Sequence, residues 1–290
     1  MSNLLLKTLK IALVQLAATA DKAKNLSRVR EHVLQAASNG AKLIVLPECF
    51  NSPYSVAAFP EYSELIPSGP TTTFLSQLAK ETQTFLIGGS IPEKDEQGKL
   101  FNTSLSFAPS GELIGKHRKV HLFDIDIPGK IRFKESEVLT GGSKITVFDI
   151  PPYGKVGVAI CYDIRFPELA SVAARKDGVF AMIYPGAFNT TTGPLHWDLL
   201  GRARAVDNQV FVLLCSPARD LTAGYHAYGY SAAIDPNGLI LAQAGEGEDI
   251  VYANLQAGRI EEVRSGIPVT VQRRYDVYDD LSKSIKTSAI

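Results

Sequence analysis

Three features of the sequence predict an α/β fold with a mixed sheet or two packed sheets. Short apolar runs alternate with amphipathic helical stretches in both halves, several runs are joined by tight turns that imply antiparallel neighbours, and no linker breaks the pattern. With 290 residues, 45% of them hydrophobic and 21% charged, the chain can bury a large core.

Each element reads from its period. Residues 10–16 form an apolar run expected as a strand. Residues 25–37 place Leu26, Val29, Val33 and Leu34 on one helical face before Asn39-Gly40 stops the helix, and residues 43–46 are a buried strand. Residues 73–82 read as helix and 85–89 as strand, and 103–107 with 113–119 form a hairpin turned by Pro109-Ser110-Gly111. Strands at 145–150 and 156–160 flank Pro151-Pro152-Tyr153-Gly154, and a helix at 167–176 leads to a strand at 179–184. A helix at 197–205 precedes strands at 210–215, 231–235 and 240–244. No low-complexity block or repeat interrupts this order, so one domain over residues 8–280 with a tail at 281–290 is the simplest reading. The segment after Pro268 is a candidate arm toward another subunit.

Thirty Lys+Arg balance thirty Asp+Glu, so no pull toward nucleic acid or an anionic membrane is expected. Three cysteines cannot build a disulfide framework, and none lies in a Cys-x-x-Cys pair. The first ten residues lack a signal or transit pattern, which makes cytoplasm the expected compartment, with a mitochondrial fraction left open. The triplets at Asn25, Asn102 and Asn189 match a glycosylation acceptor that an unsecreted chain would not use.

Three polar residues follow apolar runs directly: Glu48, Lys119 and Cys161. The carboxyl ends of strands are where ligands gather in open α/β sheets. Free cysteine usually packs as a small hydrophobe, but Cys161 opens a polar strand-to-helix turn, where backbone N–H groups can hold an oxyanion. Such a thiol needs a base or a positive neighbour. Glu48 in a closed site could take its proton, Lys119 could face the oxyanion, and His196 or His226 are alternative bases of a Cys-His dyad. His117 and His121, four apart, lack a third metal ligand nearby, and no complete Gly-rich phosphate loop exists; neither metal nor organic cofactor is expected.

At these three places the chain resembles the nitrilase superfamily of carbon-nitrogen hydrolases: residues 43–50 its glutamate motif, 115–123 its lysine motif and 157–168 its cysteine motif. The resemblance spans about residues 10–278. It implies an α-β-β-α sandwich of four layers, with Glu48 as base, Lys119 as oxyanion support, Cys161 as nucleophile and Glu135 as a second glutamate near the site. Residues 184–197 and 204–209 resemble the omega-amidase branch, which hydrolyses the terminal amides of 2-oxo dicarboxylic acids to the dicarboxylate and ammonia. On that reading Arg165 holds a substrate carboxylate, the Tyr162 N–H joins the oxyanion hole, and Phe188, Thr191 and Thr192 line the pocket. A relative acting on deaminated glutathione is the alternative, and a non-catalytic scaffold is a remote one, since all three motif residues are present. Relatives usually form homodimers or larger assemblies. One departure is Tyr230, where relatives commonly carry His before the serine.

Overall fold

The computed structural model describes residues 4–129 and 131–280; the expected tail at 281–290 lies outside the described residues. In chain order the first half gives β1 (Leu9–Gln15), α1 (Lys22–Ser38), β2 (Leu43–Val45), a short α2 (Phe59–Tyr62) and α3 (Pro70–Thr82). β3 (Phe85–Ile87), β4 (Ile91–Lys94), β5 (Leu100–Phe107), β6 (Leu113–Arg118) and the hairpin β7 (Asp124–Ile127) with β8 (Ile131–Lys134) follow. The second half gives β9 (Thr146–Ile150), β10 (Gly154–Val158), α4 (Pro167–Val172), β11 (Ala181–Pro185), α5 (Gly193–Asn208) and β12 (Phe211–Cys215). It ends with β13 (Ala232–Ile234), β14 (Ile240–Gln243), β15 (Asp249–Leu255) and α6 (Arg259–Gly266).

Two mixed sheets result. The first runs β15-β1-β2-β3-β5-β4, with β6 also paired to β5; the second runs β14-β13-β12-β11-β10-β9. Each has three parallel strands at its centre, β1-β2-β3 and β10-β11-β12, flanked by antiparallel ones.

The alternation of a strand turns this order into layers, because successive side chains point to opposite faces. Ile11, Leu13, Leu43 and Val45 meet Val156, Val158, Ile183 and Leu213 of the second sheet in one buried cluster. Their neighbours Ala12, Val14, Ile44 and Leu46 face outward onto Val29 and Val33 of α1 and Leu75 and Leu78 of α3. On the far side, Met182, Tyr184, Val212 and Leu214 pack against Leu169 of α4 and Trp197 of α5. The architecture is therefore a four-layer α-β-β-α sandwich, and both central strand triplets are apolar on both faces because both are covered.

Several elements differ from the sequence reading. Leu34, expected on the buried face of the first helix, is 37% exposed, while Asn25 turns inward and caps the loop before it. The helix expected at 167–176 is α4 followed by a π-helical turn, Ala173–Asp177, ending at Gly178 with φ +72°. β15 is a long strand pairing in full with β1, yet it was absent from the periodicity reading, as were β7, β8 and α6. The segment after Pro268 lies on its own chain, where Arg175 donates to the Tyr275 hydroxyl and Arg273 to the Asp207 carbonyl.

Leu13, fully buried between Val251 and Val45 in register, is a sensitive gauge of the inter-sheet core. Leu13→Ala is expected to cost about 2–5 kcal/mol, read as a lower urea midpoint with an unchanged m-value.

Candidate active site

The three motif residues converge at the carboxyl ends of β2, β6 and β10. Lys119, fully buried, sits between two carboxylates, its Nζ 3.1 Å from Glu48 Oε1 and 3.0 Å from Glu135. Glu48, read as the base of a closed site, is 1% exposed. Its Oε1 also accepts from Asn102 Nδ2 at 2.8 Å, and its Oε2 from the Ala187 N–H at 2.7 Å. Glu135 accepts from the Tyr54 hydroxyl at 2.8 Å and from the Phe123 N–H at 2.7 Å. Every buried charge is thereby paired and hydrogen-bonded, the condition under which burial is tolerable.

Cys161 begins a 3-10 turn, Cys161–Arg165, with φ +47°, a conformation that L residues avoid and that collects at functional sites. The chain just after β11 passes so close that a Cβ on Gly186 would stand 3.0 Å from the Cys161 Cα and from the Trp197 ring, tight enough that both would have to give by a few tenths of an ångström.

Asp163 holds this turn in place. Its Oδ2 accepts from the Ile160 N–H at 2.9 Å and lies 3.1 Å from His117 Nε2; its Oδ1 lies 2.8 Å from both the His121 N–H and His121 Nδ1. His117 and His121, weighed above as metal ligands, instead bracket Lys119 in sequence and fasten its strand to the cysteine turn. A carboxylate is acceptor-only, so both ring nitrogens facing it carry hydrogen.

Burial pushes the Cys161 thiol well up, the nearby Glu48 charge pushes the same way, and Lys119 opposes them only in part. The resting sulfur is a thiol. Burial also works against the Lys119 ammonium, but Glu135 and then Glu48 outweigh it and hold its pKa well above the ordinary value. The resting ensemble is thus a neutral thiol beside a fixed cation and carboxylates, which calls for a base to remove the proton.

His196 and His226 make no dyad with the cysteine. His196 Nδ1 lies 3.2 Å from Arg165, and His226 is exposed. The Arg165 guanidinium lies over the Phe188 ring at 4.8 Å and the Tyr162 ring at 5.4 Å, and its buried Nε has no hydrogen-bond partner among the described residues. The N–H groups of Thr191 and Thr192 are taken by Asn189 Oδ1, which shapes the turn into α5. Tyr230 adopts φ +58°, a region histidine enters more readily than most residues; its ring stacks on Tyr228 and its carbonyl accepts from Trp197 Nε1.

A cavity of about 600 Å³ opens onto Glu48 and Ala187. Ser52–Ser55, Arg132, Phe133, Asp220 and Thr222–Tyr225 form much of its wall; Tyr162, Arg165, Phe188, Thr191 and Thr192 do not line it. Sequence reasoning missed Asn102, Tyr54 and Tyr225. Asn102 was visible only as part of a triplet, Asn102-Thr103-Ser104, that is buried along its length and could not meet a glycosylating enzyme.

Residues 10–265 match the profile of the carbon-nitrogen hydrolase family. The chain belongs to that family. It is 56% identical over 288 residues to an omega-amidase of Saccharomyces cerevisiae, covering 97% of this chain and 98% of that one. It is 52% identical over 269 residues to a human omega-amidase, covering 93% and 96%. Among solved structures, Saccharomyces cerevisiae Nit3, a member of branch 10 of the nitrilase superfamily, superposes with a TM-score of 0.88 at 53% identity over 94% of this chain and 99% of that chain. As in this family generally, the chain is a hydrolase of carbon–nitrogen bonds, and the nitrilase-type sandwich expected from its motifs is the fold it adopts.

Asp163 offers a test with a defined sign. Burial raises its pKa, but hydrogen bonds from His117 and then His121 outweigh this and hold it far below the carboxylate range. A depressed folded pKa contributes stability above the unfolded value, and that contribution is lost as pH falls through it. Asp163→Asn is expected to cost roughly 2–4 kcal/mol at pH 7. In urea melts taken from pH 7 to pH 3, the deficit should narrow below about pH 4.

Proposed function

We propose that this chain is an omega-amidase that releases ammonia from the terminal amide of 2-oxo dicarboxylic acid monoamides such as 2-oxoglutaramate and 2-oxosuccinamate. The observation that carries the reading is the buried Lys119 ammonium fixed between Glu48 and Glu135 beside the Cys161 turn. Glu48 takes the Cys161 proton, and the sulfur attacks the amide carbon. The Lys119 ammonium and the Tyr162 N–H stabilise the oxyanion as the carbonyl π bond opens. Glu48 returns the proton to the nitrogen, ammonia leaves, and a thioester remains. Glu48 then removes a proton from water, hydroxide attacks the thioester, and the carboxylic acid departs as Cys161 regains its hydrogen. Glu135 keeps Lys119 charged throughout, so the oxyanion meets a cation fixed before it forms.

Arg165 is the proposed anchor for the substrate carboxylate. Its unpartnered Nε and its support on Phe188 favour that role. Arg132 at the cavity wall is the competing cation. The unpaired, buried state of all three cysteines suits the reducing cytoplasm. No described helix is long and apolar enough to cross a membrane. Assembly as a homodimer or larger oligomer is also part of the proposal; Val271, Tyr275, Val277 and Tyr278 of the C-terminal segment are exposed and available to it.

A cavity of this volume lies within the range of small-molecule sites and would also admit a peptide-sized amide, which keeps deaminated glutathione as a second substrate to test. Ammonia release from 2-oxoglutaramate, with deaminated glutathione beside it, should be strong for the first and weak for the second, and absent for both with Cys161→Ala. Preference for deaminated glutathione would move the substrate and keep the chemistry. Cysteine-independent release would sink the mechanism.

The carboxylate anchor separates by KM. Arg165→Met should raise KM for 2-oxoglutaramate roughly 10- to 100-fold, the scale of one charged hydrogen bond. The same rise in Arg132→Met, with Arg165→Met silent, would relocate the anchor to the cavity wall.

A further inference from the structure

Glu48 Oε1 already accepts two hydrogen bonds, from Lys119 and Asn102, and so has no lone pair left for a third proton. Oε2 accepts one, from the Ala187 N–H, and keeps a free lone pair. Oε2 is therefore the oxygen able to receive the thiol proton, and the Ala187 amide is the group that fixes it. Ala187 follows Gly186, where the backbone passes against Cys161, so a small rotation of this segment would swing the amide relative to both partners.

The Ala187 carbonyl is itself held. Tyr225 donates its hydroxyl to that oxygen at 2.5 Å, reaching in from the loop between β12 and β13. Its ring stands edge-on to Tyr54, with centroids 4.6 Å apart, and to Phe133 at 5.7 Å. Tyr54 in turn donates to Glu135. Two tyrosines on one cavity wall thus reach the two carboxylates that hold Lys119, one directly and one across the Ala187 Cα, which joins the held carbonyl to the donating N–H. Burial first, and the neighbouring Cys161 and Glu48 charges next, push the Tyr225 pKa well up, so its hydroxyl stays a donor at any working pH.

We propose that Tyr225 is a positioning residue for the amide hydrolysis: by holding the Ala187 carbonyl, it fixes the adjoining N–H that aims Glu48 Oε2 at the Cys161 thiol. This rests on the assignment of Glu48 as base. Tyr225 also lines the cavity, and a hydroxyl there could instead recognise substrate. The two roles differ in kinetics. A residue acting through Glu48 affects the proton transfer common to every amide, whereas a substrate contact affects binding and depends on what the substrate carries.

The test is steady-state turnover of wild type and Tyr225→Phe on 2-oxoglutaramate and on glutaramate, which lacks the 2-oxo group, with the unfolding midpoint of each protein measured alongside. We expect kcat to fall about five- to tenfold, and by the same factor on both substrates, with KM and midpoint held; that is the size of one neutral hydrogen bond felt only in the transition state. A rise in KM with kcat unchanged, losses that differ between the substrates, or wild-type values throughout would each overturn the proposal. Tyr225→Met, which keeps an apolar side chain without the hydroxyl, serves if the first variant is insoluble. Glu48→Gln is run in parallel: wild-type turnover there would refute the base assignment itself, whereas an inactive Glu48→Gln beside an unaffected Tyr225→Phe refutes only the positioning role.

Discussion

The ammonium of Lys119 is the interaction on which the site depends. Two carboxylates buried side by side would repel each other and lose their hydration, and either would neutralise by taking up a proton. A cation 3.0–3.1 Å from both makes the arrangement stable, and further hydrogen bonds to the two carboxylates come from Asn102, Ala187, Tyr54 and Phe123. Those donors come from β5, the segment after β11, the loop before α2 and the segment before β7. The sandwich can thus be understood as a scaffold that brings five separate chain segments together around one charge.

Asp163 plays the matching part for the Cys161 turn. Its carboxylate joins the residue before Cys161 to the two histidines flanking Lys119. The strained backbone at Cys161 is affordable because this network and the close passage of Gly186 leave the turn no alternative. The same pair of constraints explains why the strand ends, and not the loops alone, carry the chemistry.

Much of this was legible in the sequence, for a physical reason. Glu48, Lys119 and Cys161 each break an apolar run at the point where a strand ends, and the three motifs together identified the layers and the family. The polar partners were not legible, because Asn102 and Tyr54 look like ordinary strand and loop residues until a fold buries them. Tyr225 lies in a long loop without period. β15 escaped notice because Ile250 and Tyr252 put apolar side chains on its outer face and so blur the alternation that Val251, Ala253 and Leu255 keep, though its pairing with β1 closes the first sheet. The helix face at Leu34 shows the reverse case, where the period was right and the packing stopped one residue short. Phe188 and the two threonines were read as pocket wall and Arg165 as the carboxylate anchor, and none of the four is in the lining of the cavity that opens onto Glu48.

A sulfur kept protonated at rest has a further consequence. Peroxides and other oxidants attack thiolates, so a buried thiol with an elevated pKa climbs the oxidation ladder slowly. Burial of the Cys161 sulfur therefore bears on its chemical lifetime as well as on its pKa.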